Sequence, residues 1–223
     1  MTVPRTATIA ALFAMLASAC VPAPEAAPAI AAPGAAASAS FAAMASEDAD
    51  LERAKAAATA FSTQLRGTLQ AAVAEGGPTA AIGVCSTDAP RIADAVMAEH
   101  DLHLGRVALP GRNRNPAQAA DNWQLATLQR FQQAVAGGAA AGEQLSVTRD
   151  GLPAGVSLRM MRGIATEPGC PACHGKHVAP DVRDAIALRY PDDGATGFDI
   201  GDLRGALWVE VPTRIATPTG GNP

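Results

Sequence analysis

The sequence predicts an α+β fold, an antiparallel sheet flanked by helices, and two observations carry this reading. Apolar residues recur at helical spacing through the first half of the folded part, while short β-type runs bounded by glycine and proline fill the second half. Helices first and strands later is the order of an α+β architecture rather than of repeated βαβ units. No internal repeat is present, and the order of strands in the sheet is not legible from the pattern.

Ser46-Glu47-Asp48 supplies an N-cap and a negative first turn, after which Leu51, Ala54, Ala58, Phe61, Leu65, Leu69 and Val73 recur until Gly76-Gly77-Pro78. One long amphipathic helix therefore opens the domain. Ala80 to Cys85 reads as a short apolar helical segment, and Pro90 with Ile92, Ala93, Val96 and Met97 starts another that ends near His100. Arg106 to Leu109 is a strand candidate. Asp121 is placed to cap a helix that turns Trp123, Leu128, Phe131 and Val135 to the core and closes at Gly137-Gly138. Further strands are expected at Gln144 to Thr148, Val156 to Ile164 and Ala206 to Val211, with a short helix near Asp181 to Tyr190.

At 223 residues the chain suits one domain of common size. Hydrophobic residues make up 48% of it, but aromatics only 4%, so much of the apolar content is alanine. Alanine buries little surface, and an added group that organises the core is expected. The formal charge is −4 and no segment clusters Lys or Arg into a stripe, which excludes nucleic acid as a partner. Four cysteines are too few for a disulfide scaffold at this length, so each needs its own explanation.

Residues 1–19 combine Arg5, the apolar run Ala7 to Leu16 and the small residues Ala17-Ser18-Ala19, the pattern of a secretory signal. The run is too short to span a bilayer as a helix. Leu16-Ala17-Ser18-Ala19-Cys20 resembles a bacterial lipobox, with Ala17 where Leu is commoner, and makes Cys20 a lipidation site. Ordinary cleavage after Ala19 is the competing reading and leaves Cys20 a plain thiol. Residues 20–45 form an Ala/Pro-rich tether, expected to be extended because proline interrupts it and no hydrophobic period survives. The folded domain then spans 46–214, followed by a flexible tail over 215–223. The location implied is the periplasm, with the chain anchored to a membrane through its lipid.

Cys170-Pro171-Ala172-Cys173-His174 is a C-x-x-C-H, the attachment sequence of c-type haem. Two thiols three residues apart can each add to one vinyl group, and the adjacent histidine then lies under the iron. Export agrees with this, since c-type haem is attached outside the cytoplasm. A zinc site from Cys170, Cys173, His174 and His177 would crowd four ligands into eight residues, tighter than usual zinc spacings. A thiol-disulfide pair normally opens a helix after a strand in a βαβ unit, and no such unit precedes this motif. One covalent haem c is therefore the cofactor expected, and its flat apolar face supplies what the alanine-rich core lacks. His177 is too close in the chain to His174 to reach the opposite haem face. For the second axial ligand, residue chemistry alone leaves Cys85, Met97, His100, His103, Met160 and Met161 open.

Several segments together resemble a family of bacterial c-haem domains with a PAS-like sensor fold. They are Ala81-Ile82-Gly83-Val84-Cys85 with Ala89-Pro90-Arg91-Ile92-Ala93, Gly111-Arg112-Asn113-Arg114-Asn115-Pro116 with Asn122-Trp123, and Cys170-Pro171-Ala172-Cys173-His174-Gly175. Tyr190-Pro191-Asp192-Asp193-Gly194-Ala195-Thr196-Gly197 and Gly201-Asp202-Leu203-Arg204-Gly205-Ala206 complete the set. The resemblance covers about residues 50 to 211, and departs at Pro110-Gly111, where the family tends to carry polar residues. It implies a PAS-like sheet and iron held by His174 on one face and by a thiolate, Cys85, on the other. Arg112 and Arg114 are the best-placed cations to hold the haem propionates or the loop beside them.

These features predict an exported mono-haem c-type cytochrome that senses redox state or a small gas. Neither a transmembrane segment nor an output domain is expected in the chain, so a separate redox or signalling protein would read the change. The alternative is a low-potential periplasmic electron carrier, since an anionic thiolate ligand stabilises ferric iron. An enzyme is not expected: a peroxidase requires an open sixth position, which Cys85 closes.

Overall fold

A computed structural model describes residues 33–214. Cys20, the signal segment, the first part of the tether and the tail all lie outside the described residues. Helix α1 (Pro33–Gly83) is followed without a gap by a π-helical turn (Val84–Asp88) and by α2 (Ala89–His100). Strand β1 (His103–Val107), α3 (Asn122–Ala136), β2 (Leu145–Thr148) and β3 (Val156–Ala165) come next. The last elements among the described residues are the one-turn helix α4 (Pro171–His174), α5 (Pro180–Arg189) and β4 (Leu203–Pro212).

The four strands form one antiparallel sheet in the order β1-β4-β3-β2. Successive side chains of a strand point to opposite faces, and both faces here are covered. Adjacent Met160 and Met161 on β3 illustrate it, each 1% exposed. Met160 joins Ala54, Phe61, Val96, Leu158 and Val209 under α1 and α2, whereas Met161 joins Leu128, Phe131 and Ala206 under α3. A third cluster of Ile82, Val178, Val182, Ile186 and Tyr190 sits where α1 meets α5.

Two expectations change. The tether is not extended over its whole length, because α1 starts at Pro33 and residues 33–45 are helical. The last tether proline is Pro33, and alanine, the strongest helix former, dominates the residues after it. The break foreseen at Gly76-Gly77-Pro78 is present as a kink, with Gly77 at φ 73°. Beyond it the apolar segment to Cys85 and the helix to His100 are one helical run joined by the π turn, not two pieces. The Asp121 cap forms as a full capping box: its Oδ1 accepts from Gln124 N at 3.1 Å, and Gln124 Oε1 accepts from Asp121 N at 3.0 Å. Among the described residues no helix is long and apolar enough to cross a membrane.

Candidate functional site

The C-x-x-C-H motif lies on an excursion, residues 166–202, between the paired strands β3 and β4. Its base is closed by two backbone hydrogen bonds, Thr166 N to Asp202 O and Gly201 N to Thr166 O, both 2.8 Å. Within it Pro171, which needs no N–H partner at a helix start, opens α4. Cys173 N and His174 N both donate to Cys170 O, at 3.2 and 3.0 Å, so one helical turn sets the two thiols three residues apart on one side. Both cysteines are free and half-buried. Cys173 packs on the Ile82, Val182 and Tyr190 cluster, and burial pushes its thiol pKa up. His177 is exposed, and among the described residues no three His, Cys, Asp or Glu side chains converge as a metal-binding group. The four-ligand zinc reading therefore has no geometric support.

His174 is held at both ends. Its carbonyl accepts from Phe198 N at 3.0 Å, and its Nδ1 lies 2.7 Å from Ala195 O. A carbonyl only accepts, so Nδ1 carries the proton and Nε2 keeps its lone pair. Burial, and then the nearby Arg204 and Arg114, hold the imidazole pKa down at about 2, so the ring is neutral. The carbonyl that orients it is itself fixed. Ala195 N donates to Asp193 Oδ1 at 2.9 Å, and Arg114 clamps Asp193 through Nε at 3.0 Å and Nη2 at 3.1 Å. The same Nη2 reaches Cys173 O at 2.7 Å. Arg114 thus ties the Arg-Asn-Pro loop, the Asp193 loop and the haem motif together.

Cys85 stands on the π turn, half-buried, between the buried Val84 and Ser86. π turns occur disproportionately at functional positions, because the extra residue re-aims a side chain without ending the helix. Ser86 Oγ donates to Gly83 O at 3.1 Å and steadies the turn. Ile82, one turn earlier, packs in the same cluster as Cys173. Tyr190 packs in that cluster too, so the turn that carries Cys85 borders the pocket wall shared by Cys173 and Tyr190. The helical run and the β3–β4 excursion therefore bring Cys85 and the C-x-x-C-H together from different layers.

A family model described as Tll0287-like matches residues 36–212, a span that includes both halves of this site. The chain belongs to the Tll0287-like family. The crystal structure of the cyanobacterial heme-protein Tll0287 is similar to it, with 28% identity over 60% of this chain and 74% of that one, and a TM-score of 0.47. No curated protein matches.

The remaining site candidates of this Tll0287-like chain are placed as follows. Arg112 stacks 3.9 Å from the centroid of the Phe198 ring. Met160 and Met161 fill the two cores, and Met97 packs against the α1-side core. His103 is exposed on β1, and His100 is half-buried at the end of α2, its carbonyl accepting from Arg53. Two further arginines belong to the neighbourhood, although sequence reasoning assigns them no role. Arg204, at the start of β4, sets Nη2 3.4 Å from His174 Nε2 and its guanidinium 4.8 Å from the Phe198 centroid. Arg106, on β1, lies over Phe61 at 5.8 Å. Burial lowers the pKa of both, Arg204 to about 10. Their signal in the sequence is an arginine inside an otherwise apolar strand pattern.

Proposed function

We propose that the chain is an exported mono-haem c-type cytochrome acting as a redox or gas sensor. Cys170 and Cys173 form its covalent thioether links, and His174 and Cys85 ligate the iron. The observation that carries this reading is the orientation of His174: within a C-x-x-C-H turn, Ala195 O holds the Nδ1 proton and leaves Nε2 as the donor atom. The site also fits the group electrostatically, since the buried Nη1 of Arg204 has no hydrogen-bond partner among the described residues and an anionic cofactor supplies one. The family's namesake, titled a heme-protein, agrees. Bound haem supplies a one-electron couple; the chain orients one ligand rigidly through Arg114, Asp193 and Ala195, and presents the other on a π turn.

Reduction would remove one positive charge from a bound iron and weaken its bond to an anionic thiolate more than its bond to the neutral His174, which favours sensing over carriage. A PAS-like sheet is part of the same proposal, supported by the β1-β4-β3-β2 order with helices on both faces. Export through the signal, lipidation of Cys20, a periplasmic location and a partner redox or signalling protein complete it, with no enzymatic activity assigned.

Denatured protein on a gel is expected to keep a peroxidase-like haem stain, and its mass to exceed the processed chain by one haem. Loss of all haem on acid-acetone extraction overturns the covalent assignment. Oxidised and reduced visible spectra then separate sensor from carrier: a sensor changes its ligand set on reduction, and a carrier retains it.

A further inference from the structure

Three guanidinium groups, those of Arg204, Arg114 and Arg106, lie near His174, and Arg112 shares the Phe198 ring with Arg204; of the four only Arg114 has a carboxylate. Arg114 uses both oxygens of Asp193. Among the described residues Arg106, Arg112 and Arg204 form no ion pair. The nearby acids are committed elsewhere: Asp199 pairs with Lys176, and Asp202 Oδ2 accepts from Asp199 N at 2.8 Å. Arg204 is the most demanding of the three. Its Nη1 is buried without a partner, and its Nη2 faces only the lone pair of His174 Nε2 at 3.4 Å. A cation with an unmet donor in such a place needs an anion, and stacking on Phe198 does not provide a hydrogen-bond acceptor.

We propose that Arg204 pairs with a propionate of the haem, while Arg114 serves the protein's own Asp193. This rests on the haem reading above. Any group bound at Nε2 takes the space Arg204 Nη2 approaches, so the guanidinium shifts with its charge and must find an acceptor where it goes. Haem brings that acceptor with it, as its anionic substituents are two carboxylates. Arg112, on the same Phe198 ring, is left as the cation for the second carboxylate. Arginine suits the task because its planar fork matches a carboxylate bidentately and stays charged when buried.

The test uses haem-loaded wild type, Arg204→Gln and Arg204→Lys, read by resonance Raman in the propionate-bending region and by spectroelectrochemical titration. Arg204→Gln is expected to move the propionate band and lower the reduction potential, with the iron spin state unchanged because His174 and Cys85 remain. Arg204→Lys should fall between the two, since an ammonium pairs without the fork. An unmoved band and an unchanged potential in Arg204→Gln overturn the proposal. Should that variant fail to mature, Arg204→Lys carries the test alone, and an unmoved band again overturns it. A wild-type potential that follows added inorganic phosphate, while that of Arg204→Gln does not, assigns Arg204 to a free anion and also overturns it. Wild type lacking covalent haem overturns the underlying reading and this one together, whereas haem-loaded wild type with indifferent variants sinks this proposal only.

Discussion

Asp193→Asn tests the clamp that positions His174. Arg114 and Asp193 are 7% and 10% exposed, so their pairing is nearly desolvated, and three hydrogen bonds converge on the carboxylate. Asparagine keeps the shape but offers one acceptor oxygen and turns an amide donor toward a guanidinium. Removing one partner of a buried pair typically costs about 3–5 kcal/mol, because the other charge is left uncompensated. The slight exposure here argues for the lower end, about 3 kcal/mol. For a domain of this size each kcal/mol moves Tm by about 2–4 °C, so a fall of roughly 6–12 °C is expected by calorimetry on the haem-loaded protein. Adding Arg114→Met to Asp193→Asn should cost less than the two single changes summed, since no orphan charge remains. A drop below about 2 °C in Asp193→Asn would refute the view that this pair is the site's structural anchor.

Gly194→Ala should prevent haem incorporation or unfold the site, because its Cβ would collide with Gly111 O just where Gly194 N bonds Asn113 O; covalent haem per chain measures it. Cys85→Ala should convert a low-spin thiolate-type ferric spectrum to a high-spin or water-ligated one while the haem stays attached, and an unchanged spectrum would move the ligand elsewhere. In the haem-free chain stability should fall as pH drops below about 6.5, because the unfolded chain then protonates His174 while the folded state, at about 2, refuses the proton; denaturant titrations of that form across the window read the slope. Cys20→Ser should release the protein from the membrane fraction, and a wild type already soluble with an unmodified N-terminus decides for ordinary cleavage.

The parts of the fold legible in the sequence are those set by local chemistry. Asp121 with Gln124 marks a helix start because the cap is satisfied within four residues. The grouping of Cys170, Cys173 and His174 is local in the same way, since one turn of chain holds all three residues. Features that depend on distant partners are hidden. The β1-β4 pairing joins residues about a hundred positions apart, and no pattern inside either strand names its neighbour. Arg114 illustrates the limit at the site: its cationic fork is visible, but its engagement with Asp193 and Cys173 O comes only from two loops and the one-turn helix α4 meeting. The π turn at Cys85 is hidden differently, for its residues, Val84 to Asp88, carry no pattern that separates them from an ordinary helix.

The excursion that carries the cofactor motif behaves as a cassette. Because Thr166, Gly201 and Asp202 seal its neck, the β3–β4 ladder resumes at Ala165 and Leu203 whatever lies between them. Loop closure grows only slowly with length, about 0.6 kcal/mol for each doubling, so the ladder tolerates inserts of very different size. Grafting residues 167–200 into another antiparallel hairpin with the same neck would then carry the two thiols and His174 together, while Arg114, which holds Asp193 and Cys173 O, and Cys85 with its turn would have to be supplied by the host.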